Sequence, residues 1–191
     1  MELLLALDKS LSLSLFRSGV HPTFRFLMVA FTLLGSGATL VLLLPFIRRE
    51  HRWSPTARVL LASCLTSGVL VFVLKLLFAR TRPYLAMHLT PWDTHLASVA
   101  LVHVPTDPSF PSGHAAGAFT VVGVVVPVLW RGERRNAAAL VIASAILIAM
   151  SRVVLGAHYL SDVTVGAVLG WTVGTCFEAL RSGRHKNRQI L

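Results

Sequence analysis

The strongest constraint on this chain is the length of its apolar stretches. Thr23–Ile47, Thr56–Phe78, Pro111–Trp130 and Leu160–Leu180 are each long enough to cross a hydrocarbon core of about 30 Å as a helix. A fifth stretch, Ala137–Leu155, is shorter but close to the range of about 17–25 residues that a span requires. Backbone in contact with lipid must satisfy its hydrogen bonds within its own segment, and no barrel-like alternation is present, so the expected fold is all-α. Only 14% of the residues are charged and 54% are hydrophobic, whereas a soluble domain carries about 25% charged residues. Lipid is therefore the expected main solvent. The prediction is a single membrane domain over residues 1–191, an integral membrane helical bundle with five transmembrane helices.

The N-terminal stretch "MELLLALDKSLSLSLF" is apolar enough to meet a membrane, but Asp8 and Lys9 interrupt it. Residues 1–18 are read as an amphipathic helix lying in the interface, with a sixth, short span as the alternative. The formal net charge of +10 is concentrated after the spans. Arg48, Arg49, Arg52 and Arg58 follow the first, Arg131, Arg134 and Arg135 the third, and Arg181, Arg184, Lys186 and Arg188 the last. With five spans these clusters share one side, which the positive-inside rule makes cytoplasmic. Residues 181–191 become a basic cytoplasmic tail able to touch anionic lipid. This placement argues for a bilayer partner and against nucleic acid. Cys64 and Cys176 lie within spans without metal-like spacing, and buried free thiols are expected.

An ionisable residue inside a span is costly and marks a functional site by default. The face opposite the basic clusters receives "KLLFARTRP" (75–83), "PSGH" (111–114) and "SRVVLGAHYLSD" (151–162). Three polar clusters, far apart in sequence, should thus converge at one depth. Lys75 and Arg82 are two helical turns apart and would form an anion clamp on one face, with Pro83 ending the helix. The plainer reading is snorkelling to headgroups, and it is the one adopted for Arg80. Pro111 suits the first helical turn, leaving the N–H groups near Ser112, Gly113 and His114 as an anion site at the positive end of the dipole. Gly113 lets a ligand approach, Ser112 adds a hydroxyl donor and His114 a proton donor near neutral pH. An ordinary cap by Ser109 or Ser112, with His114 interfacial, is the alternative.

In the third cluster His158 and Asp162 are one turn apart, so the carboxylate can hold the imidazole as a base or nucleophile; a pair that merely staples two helices is the plainer reading. Arg152 falls off that face on a continuous helix. The chain is therefore expected to turn at Gly156, with Arg152 closing the fourth span and His158 opening the fifth. The outer loop 84–110 holds His88, Asp93, His95, His103 and Asp107, whose spacings match no common zinc pattern. No metal site is expected there. The loop should border the substrate entrance, with Trp92 near the interface.

The motifs K-x6-R-P, P-S-G-H and S-R-x5-H-x3-D, as they stand in these three segments, resemble the signatures of the type 2 phosphatidic acid phosphatase superfamily. They occur in order from Lys75 to Asp162. The apolar layout is similar to the membrane branch, and the size to small bacterial undecaprenyl-diphosphate phosphatases, not to the soluble acid phosphatases and vanadium haloperoxidases. The resemblance implies that His158 attacks phosphorus to form a phosphohistidine, that Asp162 orients His158, and that His114 protonates the leaving oxygen and then activates water. It implies that Lys75, Arg82, Ser112, the Gly113 N–H and Arg152 bind the phosphoryl oxygens, with Ser151 secondary. No metal and no cofactor are implied.

The implied substrate is a membrane lipid bearing a phosphate or diphosphate, met at the outer face of the plasma membrane. Undecaprenyl diphosphate, converted to the monophosphate, is the first candidate. Phosphatidylglycerophosphate or phosphatidic acid is second, and lipid A dephosphorylation or phosphotransfer third. A non-catalytic lipid-phosphate binder is the alternative of another class; such a protein would be expected to lack His158, His114 or Asp162 first.

Overall fold

The computed structural model describes residues 2–18, 21–35, 48–49, 52–89 and 106–188. Its helices are α1 (Glu2–Ser18), α2 (Pro22–Leu34), α3 (Pro55–Phe78), the short α4 (Pro83–Ala86), α5 (Gly113–Arg131), α6 (Arg135–Val154) and α7 (Leu160–Arg188). The all-α expectation needs one small amendment. Arg48–Arg49 (β1) and Arg52–Trp53 (β2) form a two-residue antiparallel ladder, with Arg48 opposite Trp53.

Among the described residues, four segments are long and apolar enough to cross a membrane: Pro55–Ala86, Gly113–Arg131, Arg135–Val154 and Leu160–Gly183. They correspond to the second to fifth expected spans. Of the first, Thr23–Ile47, the part in α2 is helical to Leu34, and residues 36–47 lie outside the described residues. The same is true of Trp92, Asp93, His95 and His103 in the expected outer loop. On α3, Leu65, Val69, Phe72 and Leu76 recur at helical spacing and are all more than 60% exposed. Such a stripe is unfavourable in water and suited to lipid tails.

Helix ends decide where the polar clusters fall. Ser54 starts α3 by accepting the Ala57 N–H at 3.1 Å, with Pro55 in the first turn. The helix stops at Phe78, not at Pro83. Ala79 takes a left-handed conformation (φ 43°), and its N–H closes on the Lys75 carbonyl at 3.0 Å. Pro83 instead opens α4, after an extended Arg82. At the same end of the bundle, α6 finishes as expected at a glycine. Gly156 has φ +72°, its N–H bonds the Val153 carbonyl at 2.9 Å, and the Ala157 N–H bonds that of Arg152 at 3.0 Å. This is a Schellman ending, open to glycine because it lacks a Cβ.

The tightest packing is between α5 and α7. Gly166, Gly170 and Gly174 repeat every fourth residue and so share one face of α7. A Cβ at Gly166 would lie 2.5 Å from the Ser112 carbonyl oxygen, and one at Gly174 2.5 Å from that of Thr120. At Gly170 it would overlap the Ala116 carbonyl. Gly123 of α5 returns the contact, with Trp171 O 2.7 Å from its would-be Cβ. Small residues let the two backbones touch, which is how helices associate where lipid offers no hydrophobic drive.

Beside this seam, Ala115, Ala149, Val153 and Val163 form one buried cluster, and Met28 and Val29 of α2 form another with Val154 and Leu155 at the end of α6. The α5–α7 pair ends in a buried Glu178 (2% exposed) held by Arg131 and by Arg181, the latter at 2.7 Å. Two residues of the basic clusters thereby share one carboxylate. Helix α1 turns Leu3, Leu4, Leu7 and Leu11 outward and buries Ser12. The thiols are less hidden than expected. Cys64 is half-buried and Cys176 exposed, because it lies away from the glycine face of α7.

Gly170→Ala should force α5 and α7 apart, at a cost of about 1–3 kcal/mol from overpacking. Gly68→Ala has nothing within 4 Å of its new Cβ. Thermal unfolding in detergent checks this: the first variant should melt several degrees lower and the second should match the parent, whereas equal midpoints would contradict the packing described.

Candidate active site

The segment that carries His158 is fixed before any side chain is considered. The Schellman turn after α6 leaves the His158 N–H on the Arg152 carbonyl at 3.1 Å. The Tyr84 N–H, at the start of α4, bonds the Gly156 carbonyl at 3.2 Å, and the Ser112 N–H bonds the Asp162 carbonyl at 3.0 Å. Three distant chain segments thus meet on one turn. The expected convergence of the three polar clusters is what the fold delivers.

His158 is 2% exposed and Asp162 fully buried. The Asp162 Oδ2 lies 3.6 Å from His158 Nδ1, accepts the Tyr159 N–H at 2.9 Å, and accepts the Ser109 hydroxyl. Ser109 Oγ is itself 3.5 Å from His158 Nδ1 and bridges the pair. Tyr159 and Asp162 thus form a capping-box-like start to α7, so His158 stands just ahead of the helix, not in its first turn.

On its other side, His158 Nε2 is 3.2 Å from Arg82 Nη1. A guanidinium only donates, so Nε2 must be the acceptor and the neutral ring carries its proton on Nδ1, toward Ser109 and Asp162. The lone pair faces the cations.

Lys75 and Arg82 do come together, but not as a helical stripe. Asp107 joins them, with Oδ2 2.6 Å from Lys75 Nζ and Oδ1 2.7 Å from Arg82 Nη2. Arg82 also donates to the Asp107 carbonyl at 2.7 Å and the Ala157 carbonyl at 2.8 Å, and Lys75 donates to the Pro108 carbonyl. Burial raises the Asp107 carboxyl, but the hydrogen bonds and charges of Lys75 and Arg82 outweigh it and hold the group below the usual carboxylate range.

The start of α5 is displaced from expectation by two residues. Ser112 is the N-cap, its Oγ 3.5 Å from the Ala115 N–H, and Gly113 is the first helical residue. Pro111 therefore lies before the helix, and the Ser112 N–H is engaged by Asp162 and is not free for an anion. The first N–H groups at the positive end of α5 belong to Gly113 and His114. A Cβ on Gly113 would meet only Val71 Cγ1 at 3.7 Å, so the space beside it is open. His114 is half-buried and sits in the field of Arg152, His158, Arg82 and Lys75. Arg152 is 4% exposed and donates to Thr32 Oγ1 of α2 at 2.8 Å. Ser151 Oγ lies 2.9 Å from Thr32 Oγ1 and donates to the Ile148 carbonyl, so this serine braces the threonine that receives Arg152.

Residues 56–185 match the family model described as the PAP2 superfamily. The chain belongs to the PAP2 superfamily. It is 31% identical over 142 residues to the decaprenylphosphoryl-5-phosphoribose phosphatase of Mycobacterium tuberculosis, a match covering 74% of this chain and 68% of that protein. It is also 31% identical to the undecaprenyl-diphosphatase of Sulfolobus acidocaldarius over 131 residues, 64% of this chain and 60% of that protein. The transmembrane PAP2-type phosphatidylglycerolphosphate phosphatase of Bacillus subtilis shares the fold with a TM-score of 0.74 at 24% identity, over 98% of this chain and 88% of that one. Aquifex aeolicus LpxE gives 0.64 at 31% identity, over 86% and 93%. The apolar helices and these relatives make this PAP2 chain an integral membrane protein.

Several residues of this candidate site are not predicted by the sequence. Arg80 was read as snorkelling, yet it donates to Asp162 Oδ1 at 2.6 Å and lies 3.8 Å over the Tyr159 ring. Asp107 was placed only in an outer loop. Ser109 was weighed only as a helix cap, and Thr32 carried no signal at all. Ser109 does have one signal, its place in the "PSFPSGH" turn between two prolines.

Burial is the main reason that the His158 ring is harder to protonate than usual. Asp162 opposes it, but Arg152 and Arg82 reinforce it and bring the pKa to about 4. An unperturbed ring titrates near about 6.5. At pH 6 His158 should therefore be neutral. Nitrogen-15 histidine spectra in detergent should show its Nε2 unprotonated at that pH, and a His158 ring titrating near 6.5 would contradict the geometry.

Proposed function

We propose that this chain is a lipid phosphatase that hydrolyses a lipid-linked phosphate or diphosphate through a phosphohistidine on His158. The observation that carries the reading is the His158 ring, with its Nδ1 side against Ser109 and Asp162 and its Nε2 lone pair toward Arg82. In the first step Nε2 attacks phosphorus, the bond to the leaving oxygen breaks, and His114 gives that oxygen a proton. In the second, His114 takes a proton from water, the hydroxide attacks phosphorus, and the P–N bond breaks to release phosphate and restore His158.

Lys75, Arg82, Arg152, Ser112 and the Gly113 N–H bind the phosphoryl oxygens. The incoming group takes over from Asp107 at Lys75 and Arg82. Asp162 keeps the ring oriented and stabilises its charge in the intermediate. The protein's contribution is mainly positioning and fixed positive charge. That charge comes from side chains, so the proposed mechanism uses neither metal nor cofactor.

An apolar cavity near the site supports a lipid tail on the substrate. It measures about 420 Å³ and lies between α2, α3, α5 and α6, lined by Leu34, Leu60, Gly117, Val121, Val141 and Ile148. Gly117 is one turn beyond His114 on α5. We favour a polyprenyl diphosphate, undecaprenyl diphosphate going to the monophosphate. The two curated relatives named above support it, since both are named for polyprenyl-linked phosphates. A likeness to the lipid A 4'-phosphatase of Helicobacter pylori, 40% identical over 79 residues, supports a second reading, a lipid A phosphatase. The site is proposed to face away from the cytoplasm, opposite the basic helix ends, in a single membrane domain with a cytoplasmic C-terminus.

Phosphate release by the purified protein in detergent, with chelator present, tests this. Undecaprenyl diphosphate, phosphatidylglycerophosphate, phosphatidic acid and lipid A would be offered in parallel. Turnover should be fastest on the polyprenyl lipid and should fall by about 10³-fold or more in His158→Ala. Preference for another lipid would keep the chemistry and refute the substrate. Loss on chelation with rescue by a divalent ion, or no release from any of them, would refute the chemistry.

A further inference from the structure

Helix α1 lies wholly before residues 56–185, the part of the chain that matches the family model. It nevertheless holds the start of α7. The first N–H groups of a helix have no partner inside it. Here the Leu160 N–H is accepted by Ser12 Oγ at 2.9 Å and the Ser161 N–H by Asp8 Oδ1 at 2.9 Å. The Ser161 hydroxyl also donates to Asp8 Oδ2, at 2.5 Å. Asp8 and Ser12 are one turn apart and share a face of α1. A neighbouring helix therefore caps the helix that carries Asp162.

The tie reaches further than capping. Arg80 lies between two carboxylates, with Nη2 2.7 Å from Asp8 Oδ2 and Nη1 2.6 Å from Asp162 Oδ1. Arg80 occupies one of the unspecified positions of K-x6-R-P, and its Nη1 also donates to Ser161 Oγ at 2.7 Å. The side chain of Asp8 is only 11% exposed. A carboxylate that deep is costly unless paired and hydrogen-bonded, and both of its oxygens are engaged. The result is a continuous path: Asp8, Arg80, Asp162, and then Ser109 and His158. With Asp8 present, Arg80 divides its attraction between two anions. Without that charge it would be drawn wholly to Asp162, which would then hold the Nδ1 proton of His158 less strongly.

We propose that Asp8 is a positioning residue for the catalytic dyad, acting through Arg80 on Asp162, and that α1 is by this route part of the active-site machinery. The proposal rests on the reading of His158 and Asp162 given above. It makes the leucine-faced N-terminal helix more than a membrane anchor: its inward face sets the orientation and charge of the nucleophile's partner.

The test is Asp8→Asn, which keeps the size and one acceptor oxygen but removes the charge, with Asp8→Glu as the conservative variant. Partners that orient a metal-ligating histidine from behind typically carry about 10–100-fold in activity, and the same scale is expected for one that orients a nucleophilic histidine. Asp8→Asn should lower kcat by about tenfold or more while KM changes by less than about twofold, and Asp8→Glu should recover part of the loss. Ser12→Ala removes the Leu160 cap without touching Arg80. It should lower the detergent melting midpoint comparably but lower kcat less. An unchanged kcat in Asp8→Asn would overturn the proposal. So would a loss of kcat that follows the melting midpoint equally in Asp8→Asn and Ser12→Ala, which would make the tie purely structural.

Should the parent protein hydrolyse none of the lipids, the functional reading fails by itself. The path from Asp8 is then read without turnover, from the nitrogen-15 signals of His158. These should shift in Asp8→Asn more than in Ser12→Ala, and identical spectra in the two variants would overturn it.

Discussion

Everything in this site depends on how closely α5 and α7 approach. The Gly166–Gly170–Gly174 face leaves no side chain between the two backbones, and at the end nearest the site the Ser112 N–H reaches the Asp162 carbonyl at 3.0 Å. That bond joins the turn bearing Ser112, Gly113 and His114 to the turn bearing His158. Any side chain in the seam would separate the N-terminus of α5 from the histidine opposite it. A packing rule of membrane helices is here also a rule about where His114 and His158 stand relative to each other.

The second dependency is electrostatic. Lys75, Arg80, Arg82 and Arg152 would repel one another in an apolar setting, where charges are poorly screened. Asp107 couples Lys75 with Arg82, while Asp162 and Asp8 divide Arg80. Arg152 leans on a hydroxyl instead, Thr32, braced by Ser151. The carboxylates are arranged unevenly. Asp162 and Asp8 are enclosed, whereas the Asp107 side chain is 52% exposed and can yield its place. Under the proposed function, an incoming phosphoryl group would meet cations already held in position, which would lower the cost of organising them on binding.

Much of this was legible in the sequence, and the failures have physical causes. Long apolar runs set the helices, and the spacing of Arg152, Gly156 and His158 was enough to place the turn between α6 and α7. The end of α3 was not legible, because Ala79 adopts a left-handed conformation with no glycine or proline to announce it. Lys75 and Arg82 were paired for the wrong reason: what unites them is Asp107, and loop contacts of that range have no periodicity to betray them. The contact of Arg80 with Asp8 spans 72 residues and is equally invisible to local pattern. The glycine repeat on α7 was visible, but it has meaning only once its partner helix is known.

The central claim is that His158 Nε2 is the atom that takes the phosphoryl group. It is tested most directly by mixing the protein with its lipid substrate, quenching in alkali, where phosphohistidine survives, and mapping the phosphate by mass spectrometry. The expected result is phosphate on the peptide containing His158, attached through Nε2, and none in His158→Ala. Phosphate on another residue, or on Nδ1, would contradict the account.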